Sequence, residues 1–246
     1  MKSKKLTVVR TPDKLGDMGL ASPRSSLSSV DSAAQHIQQE LRRAIVTLEL
    51  PPGAHLSENE VALRFGVSRQ PAREAMIALA KLGLVRVVPQ RGTVVVKISA
   101  RQVMQVRFTR EAIETAIVRQ ACARFDPMFR ASIDTILAAQ RKAAKDGDFV
   151  TFQLHDERFH AALAAGADAE LAWQAVIDIK AHMDRVCHLT LLDQKTVLGL
   201  IAQHETILAA IDAHDADAAD RAMRRHLTEV LRSLPKVLVD RADLFE

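Results

Sequence analysis

Between residues 99 and 246 the chain carries only three glycines and two prolines. So long a stretch without backbone punctuation cannot turn often, and a sheet or loop-rich domain would need many more such residues. It holds instead alanine-rich sequence with apolar residues at helical spacing, as in Val197, Leu200, Ile201, Leu208 and Ile211. Periodicity and breakers predict six helices, at roughly 100–125, 127–146, 148–165, 168–191, 195–213 and 215–234. Connections as short as Asp146-Gly147-Asp148 and His214-Asp215 favour antiparallel neighbours. The expected fold of this part is an all-α antiparallel helical bundle.

The front of the chain differs. Its 246 residues suffice for two domains with separate cores, and the change of texture divides them into a tail at 1–30, a domain at 31–98 and the helical domain at 99–246. The tail, with its ASPRSSLSSVDS run, is rich in Ser and poor in apolar periodicity, as a flexible extension is. A helix is predicted from Asp31, with Ile37, Leu41, Ile45 and Leu48 on one face and Pro51-Pro52-Gly53 as its stop. Ser57-Glu58-Asn59-Glu60 reads as a capping box, the Ser57 hydroxyl accepting from the Glu60 amide, and begins a short helix that reaches Phe65. Gly66 stops it, Val67 makes the turn, and Ser68 caps a second helix whose first turn tolerates Pro71. Ala72, Ala75, Met76, Leu79 and Leu82 form the buried stripe of that helix. The runs LVRVV and TVVVKI, joined by Pro89-Gln90-Arg91-Gly92, then read as a β-hairpin. The unit is a winged helix-turn-helix, and the whole chain is expected to be mainly α.

Burying that stripe leaves Arg69, Gln70 and Arg73 together on the outer face near the start of the second helix. A guanidinium can bond guanine O6 and N7 at once, which makes arginine the usual reader at this position. Asn59 on the preceding helix can position the phosphate backbone, and the hairpin tip with Arg91 and Gly92 serves as the wing. Residues 1–98 hold 15 Lys or Arg against 8 Asp or Glu, whereas the remaining 148 hold 19 against 22. The basic excess therefore lies with the reader, as expected when one domain meets a polyanion. Double-stranded DNA is the expected partner.

Other classes fall away on composition. With 48% hydrophobic and 26% charged residues the chain is neither disordered nor built for a bilayer, and no apolar run reaches the roughly 18 residues of a membrane span. The basic N-terminus lacks the apolar segment of a secretory signal. Cys122 and Cys187 suit a reducing compartment and give no disulfide framework, so a cytoplasmic location without membrane contact is expected.

A second constellation lies in the bundle. In FQLHDERFHAAL, residues 152–163, Phe152, Phe159 and Leu163 form one helical stripe, and Asp156 and His160 fall within it. His204 lies among Val197, Leu200, Ile201, Leu208 and Ile211, and His226 among Ala219, Met223 and Val230. A single inward histidine is ordinarily a core residue bonded to a carbonyl. One carboxylate and three imidazoles turned inward on three helices would instead be costly unless a cation neutralises them. An N3O donor set suits zinc, manganese, nickel or iron, and no soft sulfur ligand is called for.

At this point the sequence resembles a known family. LSENEVALRFGVSRQPAREAMIALAKLGLVRVVPQRGTVV is similar to the DNA-binding domain of the GntR family of bacterial transcription regulators, with its Val-Ser-Arg-x-Pro-x-Arg-Glu core and late Arg-Gly. The resemblance implies DNA contacts by Asn59, Ser68, Arg69, Gln70 and Arg73, with Arg91 and Gly92 in the wing. The C-terminal region is similar to the FCD effector-binding domain of the FadR branch, an all-helical bundle in which an Asp, a His one turn later and two late His hold a metal. Asp156, His160, His204 and His226 match these in order. Arg110 to Glu114 resembles the family's early Arg-x-x-x-Glu, whose arginine faces the ligand cavity. Gly166-Ala167-Asp168 departs from the Gly-Asn that many members have there.

The resulting expectation is a repressor that binds a palindromic operator as a homodimer, because one reader covers a half-site. It would carry one divalent metal ion per subunit, zinc first, with nickel, manganese or iron as alternatives. The resemblance implies a small carboxylate or sugar acid as effector, and Arg110 and Arg185 are expected to pair its charge. A helical-bundle metalloenzyme is the rival from another class, since Glu157-x-x-His160 has the spacing of di-iron sites. Such a site needs a second copy and two further glutamates, and Glu157 is rotated off the stripe. A constitutive DNA-binding protein with a structural metal is the third reading. The attached DNA reader argues for a regulator rather than an enzyme.

Overall fold

The computed structural model describes residues 28–88, 92–191 and 194–246. The expected tail falls almost wholly outside the described residues, and Arg91 at the hairpin tip lies outside them as well.

Helix α1 (Ser28–Val46) places Ile37, Leu41 and Ile45 against α2 (Glu58–Phe65) and α3 (Arg69–Lys81). It ends before the Pro-Pro-Gly sequence, with Leu48 beyond it in the left-handed region at φ 60°. Ser57 stands at the N-cap of α2, but its side chain makes no capping hydrogen bond, so the expected capping box is corrected to a backbone start in which the Val61 amide donates to the Ser57 carbonyl. Gly66 closes α2 at φ 64°, a conformation that glycine adopts without penalty, and the turn delivers Ser68 to the N-cap of α3. Ser68 also makes no side-chain cap bond. In α3 the predicted residues Ala72, Ala75, Met76 and Leu79 are buried, and Leu82 packs half-buried at their edge.

Strands β2 (Val85–Val88) and β3 (Gly92–Val95) form the antiparallel hairpin, with Val88 opposite Gly92. A two-residue strand, β1 (His55–Leu56), adds to the far edge of β3, giving the order β1-β3-β2. Two residues carry no period, which is why β1 has no signature in the sequence.

The C-terminal domain is a helical bundle of α4 (Ala100–Ala123), α5 (Pro127–Asp146), α6 (Phe149–Gly166), α7 (Glu170–Ile179), α8 (Ala181–Thr190), α9 (Gln194–Asp212) and α10 (Ala216–Asp240). Asp126, Asp148 and Asp215 cap α5, α6 and α10 through their side chains. The single helix expected at 168–191 is two, meeting at Lys180. Neither glycine nor proline marks the break. Helix α10 continues through Pro235, because Leu234 and Val237 on that last stretch are buried with Ile98, Val103, Val106 and Met183. Packing there outweighs the missing backbone donor. The largest cluster joins α4, α5, α6, α9 and α10 around Phe159, Leu163, Ile207 and Met223.

Candidate metal centre and nucleic-acid interface

The two-helix geometry of α2 and α3 leaves Arg69, Gln70 and Arg73 exposed, with Ser68 and Asn59 beside them. Glu58 on the first turn of α2 faces both arginines, 3.3 Å from Arg69 Nη2 and 4.0 Å from Arg73 Nε. Gln70 donates to Glu74 at 2.7 Å. With side chains 69% and 63% exposed, Arg69 and Arg73 are held only lightly and can exchange Glu58 for a nucleic acid. Gly92 opens β3 at φ 77°, exposed beside the hairpin tip.

In the bundle, Asp156 and His160 of α6, His204 of α9 and His226 of α10 each offer a ligand atom, all within 4.8 Å of one another. The three imidazoles are buried, and Asp156 is the member nearest the opening. His160 Nε2 and His226 Nε2 are 3.1 Å apart, and Asp156 Oδ1 is 3.3 Å from His204 Nε2. Phe159 stacks on the His204 ring at 4.1 Å, and Trp173 lies parallel to His160 at 5.8 Å.

The surrounding side chains fix which nitrogens carry hydrogen. Gln140 Nε2 donates to the His155 carbonyl, so its Oε1 faces His204 Nδ1 at 2.9 Å. Gln203 Nε2 donates to the Glu229 carboxylate, so its Oε1 faces His226 Nδ1 at 3.1 Å. Glu114 Oε2 stands 2.5 Å from His160 Nδ1. Each Nδ1 therefore lies against an acceptor, with His160 Nδ1 in close contact with Glu114 rather than in a well-directed hydrogen bond, an arrangement that suits a proton on Nδ1 and a bare Nε2 lone pair turned inward. His204 Nε2 has no hydrogen-bond partner among the described residues. Two lone pairs 3.1 Å apart, a third orphaned nitrogen and a carboxylate in one buried place make a donor set that a divalent cation fits.

The electrostatics agree. Burial pushes the His204 and His226 rings below the ordinary histidine range, and the neighbouring imidazoles add to this for His226. Burial alone would raise the Asp156 carboxyl, but the hydrogen bond from His204 and the charge of His160, His204 and His226, when these rings are protonated, hold it well below the usual range. Burial would likewise raise Glu114, yet Arg110 and His160 bring it down to about 2. At neutral pH Asp156, His204 and His226 are thus deprotonated at their ligand atoms, as metal binding requires.

A cavity opens onto this centre, lined among others by Arg110, Asp156, His160, Trp173, Lys180 and His226. Arg110 is tied by Nε to Glu114 at 2.6 Å and by Nη1 to Met183 Sδ at 3.3 Å. Arg185 is not among the lining residues. It is fully buried, and its Nη1 donates to the Val96 carbonyl at 2.9 Å. Lys180 is the cavity's second cation, missed because its signal, a helix break without a breaker residue, is invisible in sequence. Gln140 and Gln203 were missed too. Gln140 did carry a signal, since it continues the Ile133 and Leu137 stripe of α5 and is a polar residue at an apolar position, as Asp156 is in α6.

Residues 33–95 match the family "Bacterial regulatory proteins, gntR family", and residues 105–229 match the FCD domain. The chain is 38% identical over 221 residues to the HTH-type transcriptional repressor RspR of Escherichia coli (strain K12), covering 90% of this chain and 97% of that protein. It is 25% identical over 222 residues to the gluconate operon transcriptional repressor of Bacillus subtilis (strain 168), covering 88% and 90%. The fold matches that of E. coli McbR/YncC with a TM-score of 0.74 at 19% identity, over 83% of this chain and 97% of that one. Reader, bundle and relatives agree on one assignment: this chain belongs to the gntR family of bacterial regulatory proteins, carries an FCD domain, and is a transcription regulator.

Proposed function

We propose that the protein is a metabolite-responsive repressor that binds a palindromic operator as a homodimer and responds to a small carboxylate or sugar acid at a metal centre. The observation that carries this reading is the set of three imidazoles whose Nδ1 atoms are tied to Glu114, Gln140 and Gln203 while their Nε2 atoms converge with Asp156. Asp156, His160, His204 and His226 would hold the ion, zinc first, with nickel, manganese or iron as alternatives. A bound divalent ion supplies a Lewis-acid position that a carboxylate oxygen can take. Arg110 and Lys180 bring positive charge to the cavity wall, and Trp173 gives it an apolar face. Arg69, Gln70 and Arg73 read bases, Ser68 and Asn59 position the backbone, and the wing with Arg91 and Gly92 adds a flanking contact. The division falls at Ile98 and Ser99. The name of the gluconate operon repressor supports a sugar acid. No helix among the described residues is long and apolar enough to cross a membrane, which accords with a cytoplasmic regulator.

The test is metal content and operator binding measured on the same variants. Asp156→Ala and His204→Ala are expected to lose zinc by elemental analysis while still protecting the wild-type footprint on an operator selected in vitro. D-gluconate should change operator affinity of the zinc-loaded wild type and leave both variants unmoved. Full zinc occupancy in both variants would refute the ligand assignment.

A further inference from the structure

Helix α8 is the one element of the bundle whose side chains reach both the cavity and the DNA-reading domain by charged contacts among the described residues. Its first residue, Ala181, is 1% exposed and belongs to the core formed by Ile37, Leu41, Ala72 and Leu79 of the reader. His182 Nδ1 accepts from the Ser99 amide at 3.1 Å, and Arg185 donates to the Val96 carbonyl, so α8 also grips the strand-to-bundle connection. On the other side Lys180, Met183, Asp184 and Cys187 line the cavity.

A chain of charges runs through this helix. Glu157 Oε2 on α6 lies 2.8 Å from Lys180 Nζ, and Lys180 Nζ pairs in turn with Asp184 Oδ1. Asp184 Oδ2 accepts from Arg42 Nη2 on α1 at 2.8 Å. Lys180 and Asp184 are 6% and 7% exposed, so little water competes for these bonds. One carboxylate is thus shared between a cation inside the cavity and a cation on the first helix of the reader. The seam is not electrostatically saturated: Arg185 Nε and Nη2 are buried beside it without hydrogen-bond partners among the described residues. An under-satisfied interface has alternatives of similar energy, which a change in one buried pair can select.

We propose that Asp184 is a shared carboxylate that couples the cavity to the DNA-reading domain: an anion that takes hold of Lys180 releases Asp184 to Arg42 and tightens α1 against α8. The idea rests on the reading of this cavity as the effector site, and supplies the route by which occupancy reaches the reader. The sign follows from competition. Lys180 carries one positive charge, which Glu157 and Asp184 share, so a third carboxylate draws on what Asp184 now receives. A ligand carboxylate satisfies Lys180 in place of Asp184, whereas loss of Glu157 leaves Lys180 leaning wholly on Asp184. Coupling of this kind is reciprocal, so Arg42 must also influence the cavity it does not line.

The experiment needs no effector. Lys180→Met keeps the side-chain length and removes the competitor for Asp184, whereas Glu157→Gln strengthens the competition. In zinc-loaded full-length protein, amide exchange in α1 is expected to slow in Lys180→Met and quicken in Glu157→Gln, by about three-fold or more in each case. Both changes should vanish in the Arg42→Gln background, and operator affinity should show the same non-additivity. Additive effects, or α1 exchange that ignores both cavity substitutions, would overturn the coupling. Should Lys180→Met fail to fold, Glu157→Gln with and without Arg42→Gln carries the test alone. Zinc content and the D-gluconate response are read separately. Their loss with a non-additive cycle sinks the effector reading and leaves the relay, whereas an additive cycle with both intact sinks only the relay.

Discussion

Gln140 lies outside the ligand set yet governs the state of one ligand. Its amide is fully buried, with Oε1 2.9 Å from His204 Nδ1 and Nε2 3.1 Å from the His155 carbonyl. In Gln140→Leu the shape of the side chain survives while both bonds go. Without an acceptor, the His204 proton is free to move to Nε2, the nitrogen that must stay bare. Loss of such an outer partner typically lowers metal affinity about 10–100-fold, which is about 1.4–2.8 kcal/mol of binding free energy. The His155 carbonyl keeps its helical donor but loses the second one from Gln140, a separate cost of about 0.5–1.5 kcal/mol in folding stability. Two measurements separate the effects: zinc affinity by chelator competition and melting temperature of the zinc-free protein. Gln140→Glu is the informative partner, because a carboxylate still accepts from Nδ1 but cannot donate to His155. It should recover most of the zinc affinity lost in the leucine variant without recovering the melting temperature. Equal losses of zinc affinity in the two variants would show that the acceptor on Nδ1 is irrelevant, and the tautomer argument would fail.

Two further outcomes follow from packing and charge. The zinc-free protein should lose stability on acidification, because burial holds His204 and His226 below their ordinary range while the unfolded rings titrate near 6.5. Stability is then full above about pH 6.5 and falls below it, by up to about 1.4 kcal/mol per pH unit for each ring; denaturant titrations at pH 7.5 and 5.5 measure it, and a flat profile would contradict the burial. Gly166 ends α6 against the Phe125 ring, with which an added Cβ would collide, so Gly166→Ala should cost about 1–3 kcal/mol through overpacking; an unchanged melting temperature would mean that the ring yields freely.

The legible part of this protein was the part written in period. Stripes with a polar residue at an apolar position located Asp156, His160, His204 and His226, and helix length with Gly66 and the exposed arginines located the reader. What escaped depends on contacts between distant segments. Nothing local says that α7 and α8 part at Lys180, since the Ile179-Lys180-Ala181 sequence suits a continuous helix and only the docking of Ala181 into the other core makes the break worthwhile. Arg185 is buried like Val186 and Met183 but points away from the cavity that Met183 lines, and its turn toward Val96 follows from where the connection to the reader passes. Ser57 carries the capping sequence without the capping bond, and its carbonyl accepts the first helical hydrogen bond as any N-cap carbonyl does.

Ala181 has a consequence for how such chains can be recombined. A residue of the bundle completes the hydrophobic core of the reader, so the boundary in sequence is not a boundary in packing. A hybrid sensor that joined residues 28–98 to another effector bundle would inherit an unfilled position beneath α1 and α3 unless the incoming helix offered an equally small side chain there. Transplanting the reader together with the face of α8 that plugs it is the smaller mechanical disturbance, and it marks where grafts between regulators of this architecture should be cut.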